Sequence, residues 1–140
     1  MKTRVMIIED NEFIRLTMKD YLAKRGYDIV MCPGPVDGPL TINETSHDAG
    51  TDILISGLST PNMNGLQSIG SQIRKSRKIQ NVALMSAAWA PEEVAYAKKI
   101  GCKVLAKPLR FDELGTWLNE CESRINPHRV LTDELLQKEI

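Results

Sequence analysis

Chemically active side chains stand in three short clusters that are far apart in the sequence. They are the adjacent acids Glu9 and Asp10, the hydroxyl of Ser86, and the amine of Lys107, which precedes Pro108. Two carboxylates, a hydroxyl and an amine could form a reaction or ligand site if the fold brought them together. Taken singly, each has a simpler interpretation: solvated acids at a strand end, a loop hydroxyl bonded to backbone, and a surface lysine.

Each cluster directly follows a short apolar segment. Segments of this length and composition are typical of buried parallel strands. Five strands are predicted, over Arg4–Ile8, Asp28–Cys32, Asp52–Ile55, Val82–Met85 and Lys103–Ala106. Because ligands of such sheets bind outside the carboxyl ends of the strands, the residues that follow the strands are the ones to compare. Gly57 is the residue to consider after the third strand.

Segments with a helical repeat of apolar residues separate the predicted strands. The first helix is capped by Asn11 and stops at Gly26, and the fourth begins at Pro91 and ends at Gly101. A short second helix is predicted over residues 40–47 from a thin apolar stripe. The inward positions of the first, third, fourth and fifth helices are Ile14, Met18 and Leu22; Leu66, Ile69 and Ile73; Val94, Ala97 and Ile100; and Leu114, Trp117, Leu118, Cys121 and Ile125. Five alternations of strand and helix predict an α/β fold, a parallel sheet with helices on both faces.

Composition and charge exclude several classes of function. The 140 residues suffice for one domain, and 42% apolar with 26% charged residues is ordinary for a globular protein. The 18 basic and 18 acidic side chains cancel, which argues against direct binding to nucleic acid or to a membrane surface. Cys32, Cys102 and Cys121 form no CxxC pair and are expected to be small buried hydrophobes. Without an apolar run or a signal-like start, the protein is expected to be cytoplasmic.

The strand-end residues, taken in order, resemble those of the bacterial response-regulator receiver domain over roughly residues 3–125. The matching residues are Glu9-Asp10, Ser86-Ala87 and Lys107-Pro108, with Pro61, Gly65 and Gly26-Tyr27 in support. The resemblance implies a flavodoxin-like five-stranded sheet of order 2-1-3-4-5. It also implies a receiver domain over residues 1–125, followed by a tail over 126–140 that could carry a short helix.

The resemblance also implies a chemistry for the strand ends. In receiver domains the acid pair and an acceptor aspartate hold a magnesium ion, and the acceptor takes a phosphoryl group from a histidine kinase. Glu9, Asp10, Ser86 and Lys107 match the helper residues, but Gly57 stands at the acceptor position and cannot form an acyl phosphate. The resemblance therefore implies no catalytic residue and a weakened remnant magnesium site at Glu9 and Asp10. We expect Lys107 to turn towards Asp10 or Glu9 instead.

Other positions depart from the family pattern as well. Val104 stands where the family usually has its switch aromatic, Asn64 where it often has aspartate, and a Pro- and Gly-rich link over residues 33–39 replaces a regular helix entry. An engineered change would explain only Gly57, so these departures together favour a natural pseudo-receiver. The family's Lys-Pro pair also leads us to expect a cis peptide bond before Pro108.

Three functions are compatible with these residues. The leading one is a non-enzymatic signalling protein of a two-component phosphorelay that works by protein contacts without aspartyl phosphorylation. Its partner would be a sensor histidine kinase or another signalling protein, and the contact face, roughly Pro91–Ile125, could also form a homodimer. The second is a conventional response regulator with an engineered Asp-to-Gly change at position 57, which the genomic codon would reveal. The third is a small-ligand binder that uses the vacated strand-end pocket. Separately, Trp89 could pack over the strand-end pocket or display an aromatic ring to a partner, and the packing role is favoured.

Overall fold

The computed structural model describes residues 2–32, 51–58, 66–67, 70–71 and 81–129. Within them lie β1 (Arg4–Ile8), α1 (Glu12–Lys24), β2 (Asp28–Cys32), β3 (Ile53–Gly57), β4 (Val82–Ser86), α2 (Pro91–Lys99), β5 (Lys103–Ala106) and α3 (Phe111–Arg124). Residues 66–67 and 70–71 are also helical. The second predicted helix over 40–47, the residues Pro61, Asn64, Gly65, Ile69 and Ile73, and the chain beyond residue 129 lie outside the described residues.

The five strands form one parallel sheet in the order β2-β1-β3-β4-β5. This confirms the flavodoxin-like order 2-1-3-4-5. β3 and β4 end later than predicted, at Gly57 and Ser86 rather than at Ile55 and Met85. The prediction stopped at the last apolar residue, but Gly57 still pairs with Met85 and continues the ladder. The candidate residues therefore belong partly to the strands themselves.

The core lies in two clusters, one on each face of the sheet. One face is covered by α1 and α3, whose buried side chains include Met18, Leu22, Leu114 and Trp117. The other is covered by α2, with Ala97 buried against the sheet, and by the helical residues around position 66. Burying a large apolar side chain contributes about 1.5–3 kcal/mol, so these contacts fix the helices to the sheet. Helices on both faces were predicted and are confirmed.

The helix ends agree with the sequence signals. The Asn11 side chain accepts a hydrogen bond from the Ile14 amide at 3.0 Å, which caps α1 as predicted. Gly26 and Gly101 follow α1 and α2 with φ of 85° and 88°, a left-handed conformation that glycine adopts without a steric penalty. The peptide bond between Lys107 and Pro108 is cis, as the resemblance implied.

The described cysteines behave as small apolar residues. Cys102 and Cys121 are both buried and form no disulfide. Burial raises the pKa of the Cys102 thiol to about 12 and that of the Cys121 thiol to about 11. Neither thiol therefore supplies a thiolate at neutral pH. This confirms the prediction for these two residues; the Cys32 side chain lies outside the described part of the chain.

Candidate functional site

The carboxyl edge of the sheet gathers residues from four strands. In register, Ile8 of β1 lies beside Ser56 of β3, and Ser86 of β4 lies beside Ala106 of β5. Glu9 follows β1 directly, Gly57 is the last residue of β3, and Lys107 follows β5. Because all strands run parallel, these residues meet at one edge, as the sequence predicted.

An ion pair between Glu9 and Lys107 occupies the centre of this edge. The Lys107 Nζ lies 3.0 Å from Glu9 Oε2 and 3.2 Å from Glu9 Oε1. The Glu9 side chain is completely buried and the Lys107 side chain is 16% exposed. The Asn11 amide donates a hydrogen bond to Glu9 Oε1 at 3.1 Å, whereas Glu9 Oε2 accepts none and is stabilised by the ionic contact alone. We expected Lys107 to turn to Asp10 or Glu9, and it contacts Glu9.

The Glu9 carboxylate lies directly over Gly57. A Cβ atom built on Gly57 would lie 2.8 Å from Glu9 Cδ and 3.2 Å from Oε1, and it would lie closer still to Oε2. Side-chain carbons do not approach a carboxylate that closely, so even an alanine at position 57 requires Glu9 to move. Glu9 therefore occupies the position that the Cβ atom of an acceptor residue would take.

The other two predicted residues, Asp10 and Ser86, take no part in the ion pair between Glu9 and Lys107. Asp10 is exposed, and Ser86 is buried with its Oγ accepting a hydrogen bond from the Ala88 amide at 3.1 Å. The Lys107 amide donates to the Ser86 carbonyl oxygen at 3.0 Å, which ties the ends of β4 and β5 together. The hydroxyl of Ser86 is thus used by its own loop.

Trp89 contacts β5 through a hydrogen bond of its side chain. Its Nε1 donates a hydrogen bond to the Leu105 carbonyl oxygen at 2.9 Å. The half-buried ring packs, together with Val104, against the core cluster on the α2 side. Of the two predicted roles, the packing role is the one that this geometry supports.

One residue at the site was missed by the sequence analysis. Arg15 of α1 donates a hydrogen bond from its Nη1 to the Glu9 carbonyl oxygen at 3.0 Å, which helps to position the backbone beneath the ion pair. No sequence signal singles out this arginine, because it belongs to a helix face that carries several charged residues. Its position in the first turn and a half of α1, six residues after Glu9, is the only indication.

A surface groove of about 450 Å³ lies between α1 and the start of α3. It is lined by residues of α1, by Arg25 directly after that helix and by the first residue of α3; the full set is Thr17, Asp20, Tyr21, Lys24, Arg25 and Phe111. None of the predicted site residues lines it. The third predicted function, a ligand in the vacated strand-end pocket, gains no support from this groove.

A parallel sheet of this order, with an acid, a serine and a lysine at its carboxyl edge, defines the class of receiver-like signalling domains. The family model for the response regulator receiver domain matches residues 5–119 of the chain. The protein therefore belongs to the response regulator receiver family. It is a receiver-domain signalling protein of the two-component type, and receiver domains interact with histidine kinases and other signalling proteins.

Individual relatives agree with this assignment. The chemotaxis protein CheY of Thermotoga maritima is 28% identical over 121 residues, which cover 86% of this chain and 98% of CheY. CheY of Bacillus subtilis is 23% identical over the same shares of the two chains. Among solved structures, a response regulator from Thermotoga maritima has a TM-score of 0.69 at 18% identity, covering 88% of this chain and 99% of its own. A pilus assembly-related protein from Burkholderia pseudomallei has a TM-score of 0.73 at 15% identity, with 89% and 92% covered. At these identities the structures show a shared fold.

Receiver domains typically bind Mg²⁺ at the acceptor site. Mg²⁺ requires near-octahedral oxygen ligands, usually including one or two carboxylates. The described residues contain no group of three or more His, Cys, Asp or Glu side chains that could hold a metal. Glu9 is paired with Lys107, Asp10 is exposed, and Gly57 supplies no side-chain oxygen. The residues present do not fit the ion.

No helix in the described part of the chain is both long and apolar enough to cross a membrane.

Proposed function

We propose that this protein is a pseudo-receiver of a two-component system, which signals in the cytoplasm by protein–protein contacts and is not phosphorylated on aspartate. One observation carries the proposal: the Glu9 carboxylate fills the space over Gly57 and is neutralised by Lys107 at 3.0 Å. An acceptor side chain is absent from position 57, and the space for it is taken by another residue.

Neighbouring groups do not replace the acceptor. Glu9 is itself a carboxylate, but it is 1% exposed and its oxygens face Lys107, so a phosphoryl donor has no access to them. Ser56 is completely buried and its hydroxyl has no hydrogen-bond partner, so no base activates it. Ser59 and Thr60 lie outside the described residues. Phosphoryl transfer requires an accessible nucleophile in line with the donor, and the described edge offers none.

The contact face that we propose consists of α2, β5 and α3, over Pro91–Ile125. A histidine kinase, another signalling protein or a second copy of the chain would bind there. The domain is proposed to extend beyond residue 125, because the Arg129 side chain binds Asp52 at 2.6 Å at the opposite edge of the sheet. Residues 126–129 would then belong to the domain, and the tail would begin after them.

Incubation with acetyl phosphate and Mg²⁺, followed by intact-mass spectrometry, tests the absence of phosphorylation. The native protein is expected to gain no phosphoryl group. The matched positive control is the double variant Gly57→Asp/Glu9→Asp, which restores an acceptor and shortens the acid that fills its place. A stoichiometric phosphoryl gain by the native protein would contradict the proposal, and fragment-ion mapping would then identify the residue that accepts it.

Protein contact is tested separately. Charge reversal of exposed residues on the proposed face, Glu92→Lys or Lys98→Glu, should weaken the binding of the partner or of a second copy, measured by analytical ultracentrifugation or titration calorimetry with purified proteins. Asp20→Lys on α1 is the control from another face. Equal loss of binding in all three variants would count against the proposed face.

A further inference from the structure

We propose that the Lys107 ammonium group takes the place of the divalent cation at the carboxyl edge. The edge would then be closed permanently by an internal ion pair and would not respond to Mg²⁺. This inference goes beyond the proposed function, because it concerns the counter-ion of the site and not the acceptor. It starts from the disagreement between the residues present and the magnesium ion of the family.

The Glu9–Lys107 pair balances its own charge without a divalent cation. Among the described residues at this edge, Glu9 is a buried carboxylate, whereas Asp10 is exposed to water and Gly57 carries no charge. One ammonium group neutralises one carboxylate. A divalent cation added beside the Glu9–Lys107 pair would bring two positive charges, which the water-exposed Asp10 carboxylate would offset only in part. Burial of unpaired charge is strongly unfavourable.

The geometry of the Glu9–Lys107 pair also opposes a metal ion. Both carboxylate oxygens of Glu9 lie within 3.2 Å of the Lys107 Nζ, so a metal bound to either oxygen would lie close to the ammonium group. The backbone of Lys107 is also held in place, because its amide donates a hydrogen bond to the Ser86 carbonyl oxygen at 3.0 Å. A metal would have to displace a lysine whose backbone is tied to the neighbouring strand.

The Glu9 Oε2 atom is the one feature of the pair that favours a metal ion. It is buried and accepts no hydrogen bond, as is expected of a carboxylate oxygen that coordinates a metal ion. This oxygen lies where a Cβ atom of residue 57 would be, however, and glycine supplies no side chain that could complete a metal site there. The 3.0 Å ionic contact to Lys107 already compensates its charge.

Nuclear magnetic resonance of the full chain provides the direct test. The Asn11 amide donates to Glu9 Oε1 at 3.1 Å, so its resonance reports on anything that binds the Glu9 carboxylate. In a titration of the native protein with MgCl₂, against NaCl at equal ionic strength, we expect no saturable Mg²⁺-specific shift of this resonance. A saturable shift at millimolar or lower Mg²⁺ would overturn the inference. This measurement does not depend on the folding of any variant.

Removal of the ammonium group provides the complementary test. Lys107→Met should expose the Glu9 charge to other cations, so the variant should gain a Mg²⁺-dependent rise in Tm that the native protein lacks. With free Mg²⁺ about ten times above Kd, the folding constant of this variant should rise about tenfold. Lys107→Arg, which keeps a cation, should stay insensitive. Lys103→Met, which removes an outlying lysine of β5 paired with Glu113 at 3.5 Å, should stay insensitive too.

The outcomes separate this inference from the proposed function. Mg²⁺ sensitivity in Lys107→Met alone supports the inference. Equal Mg²⁺ sensitivity in the native protein, or none in a folded Lys107→Met variant, contradicts it. Neither result changes the acetyl phosphate experiment, in which only a phosphoryl gain by the native protein counts against the proposed function.

Discussion

The two edges of the sheet each contain a buried acid paired with a distant cation, and the two pairs differ in how well the acid is satisfied. At the amino edge, Asp52 Oδ1 and Oδ2 accept from Arg129 at 2.7 and 2.6 Å, and Oδ2 also accepts from the Arg4 amide at 2.9 Å. At the carboxyl edge, Glu9 is more deeply buried, yet one of its oxygens accepts no hydrogen bond.

This difference indicates different roles for the two edges. The bidentate contact of Arg129 with Asp52 joins the start of β3 to the segment after α3, and the Arg129 side chain also donates to the Lys2 carbonyl oxygen at 3.0 Å. Such planar, multiply bonded pairs fix chain segments in place. Glu9 instead has an oxygen that accepts no hydrogen bond, so its carboxylate is held mainly by the ionic contact with Lys107. We therefore expect loss of the acid at the amino edge to cost more stability than loss of the acid at the carboxyl edge.

The largest expected effect follows from Asp52→Asn. The neutral amide cannot pair with Arg129 and presents an NH₂ group to donors on one side, so the free energy of unfolding should fall by about 3 kcal/mol. The matched change at the other edge, Glu9→Gln, also leaves a largely buried cation without its counter-charge, but it breaks fewer hydrogen bonds, because one Glu9 oxygen accepts none. It should therefore cost less, about 2 kcal/mol. Urea denaturation followed by circular dichroism measures both.

An exposed acid gives the baseline for this pair of variants. Asp28 lies 4.0 Å from Lys2, with side chains 38% and 68% exposed, and Asp28→Asn should change stability by less than about 0.5 kcal/mol. If Glu9→Gln cost as much as Asp52→Asn, the contrast between the two edges would be wrong.

The second prediction concerns alkaline pH and the amino edge. Burial raises the pKa of the Tyr27 phenol to about 12, the Arg25 side chain opposes this shift, and a 2.8 Å hydrogen bond to the Glu122 carboxylate supports it. The unfolded chain loses the phenol proton near pH 10, before the folded chain does. Stability should therefore be unaffected below about pH 10 and fall by about 2 kcal/mol as the pH rises to 12.

Tyr27→Phe tests the cause of that decline. The variant should lose the part of the decline between pH 10 and 12, measured as Tm against pH. Tyr96→Phe, which removes a phenol from the opposite face of the sheet, is the control and should keep the decline. A Tyr27→Phe variant with an unchanged alkaline profile would show that another group carries the pH dependence.

The sequence predicted the strands and helices that carry the site better than the side-chain contacts within it. Short apolar strands and capped helices are local features, so the sheet order, the positions of Glu9 and Lys107, and the cap at Asn11 followed from spacing and from the family resemblance. The choice of Glu9 over Asp10 as the partner of Lys107 could not be made, because adjacent acids differ only in the direction that the end of β1 gives them. That direction depends on the register between Ile8 and Ser56, which is a tertiary property.

The amino-edge pair was not predicted at all. Arg129 and Asp52 are 77 residues apart, and Arg129 is one of 18 basic residues in a neutral chain. A charge at the start of an apolar strand gives no information about its partner. The predicted domain boundary at residue 125 accordingly falls ahead of Arg129, which contacts Asp52 just before β3.

The third prediction tests the crowding at the carboxyl edge. Gly57→Ala places a methyl group against the Glu9 carboxylate and should force it away from Lys107, at a cost of about 1.5 kcal/mol. The same substitution in a Glu9→Ala background should cost less by about 1 kcal/mol, because the opposing carboxylate is gone. Urea denaturation of the four proteins gives the coupling free energy. Additive effects would mean that Glu9 does not occupy the space over Gly57.

The smallest expected effect separates two buried serines at the ends of neighbouring strands. Ser56 is completely buried, and its hydroxyl has no hydrogen-bond partner. Ser86 is 2% exposed, and its hydroxyl accepts a hydrogen bond from the Ala88 amide at 3.1 Å. Removing an unsatisfied buried hydroxyl relieves its desolvation penalty, and removing a satisfied one leaves an amide unpaired. Ser56→Ala should therefore stabilise the fold by about 0.5 kcal/mol, and Ser86→Ala should destabilise it by about 1 kcal/mol. Opposite signs in thermal and urea denaturation would show that unsatisfied groups, rather than burial as such, distinguish the carboxyl edge. Loss of stability in Ser56→Ala would instead mean that this hydroxyl takes part in a contact that β3 depends on.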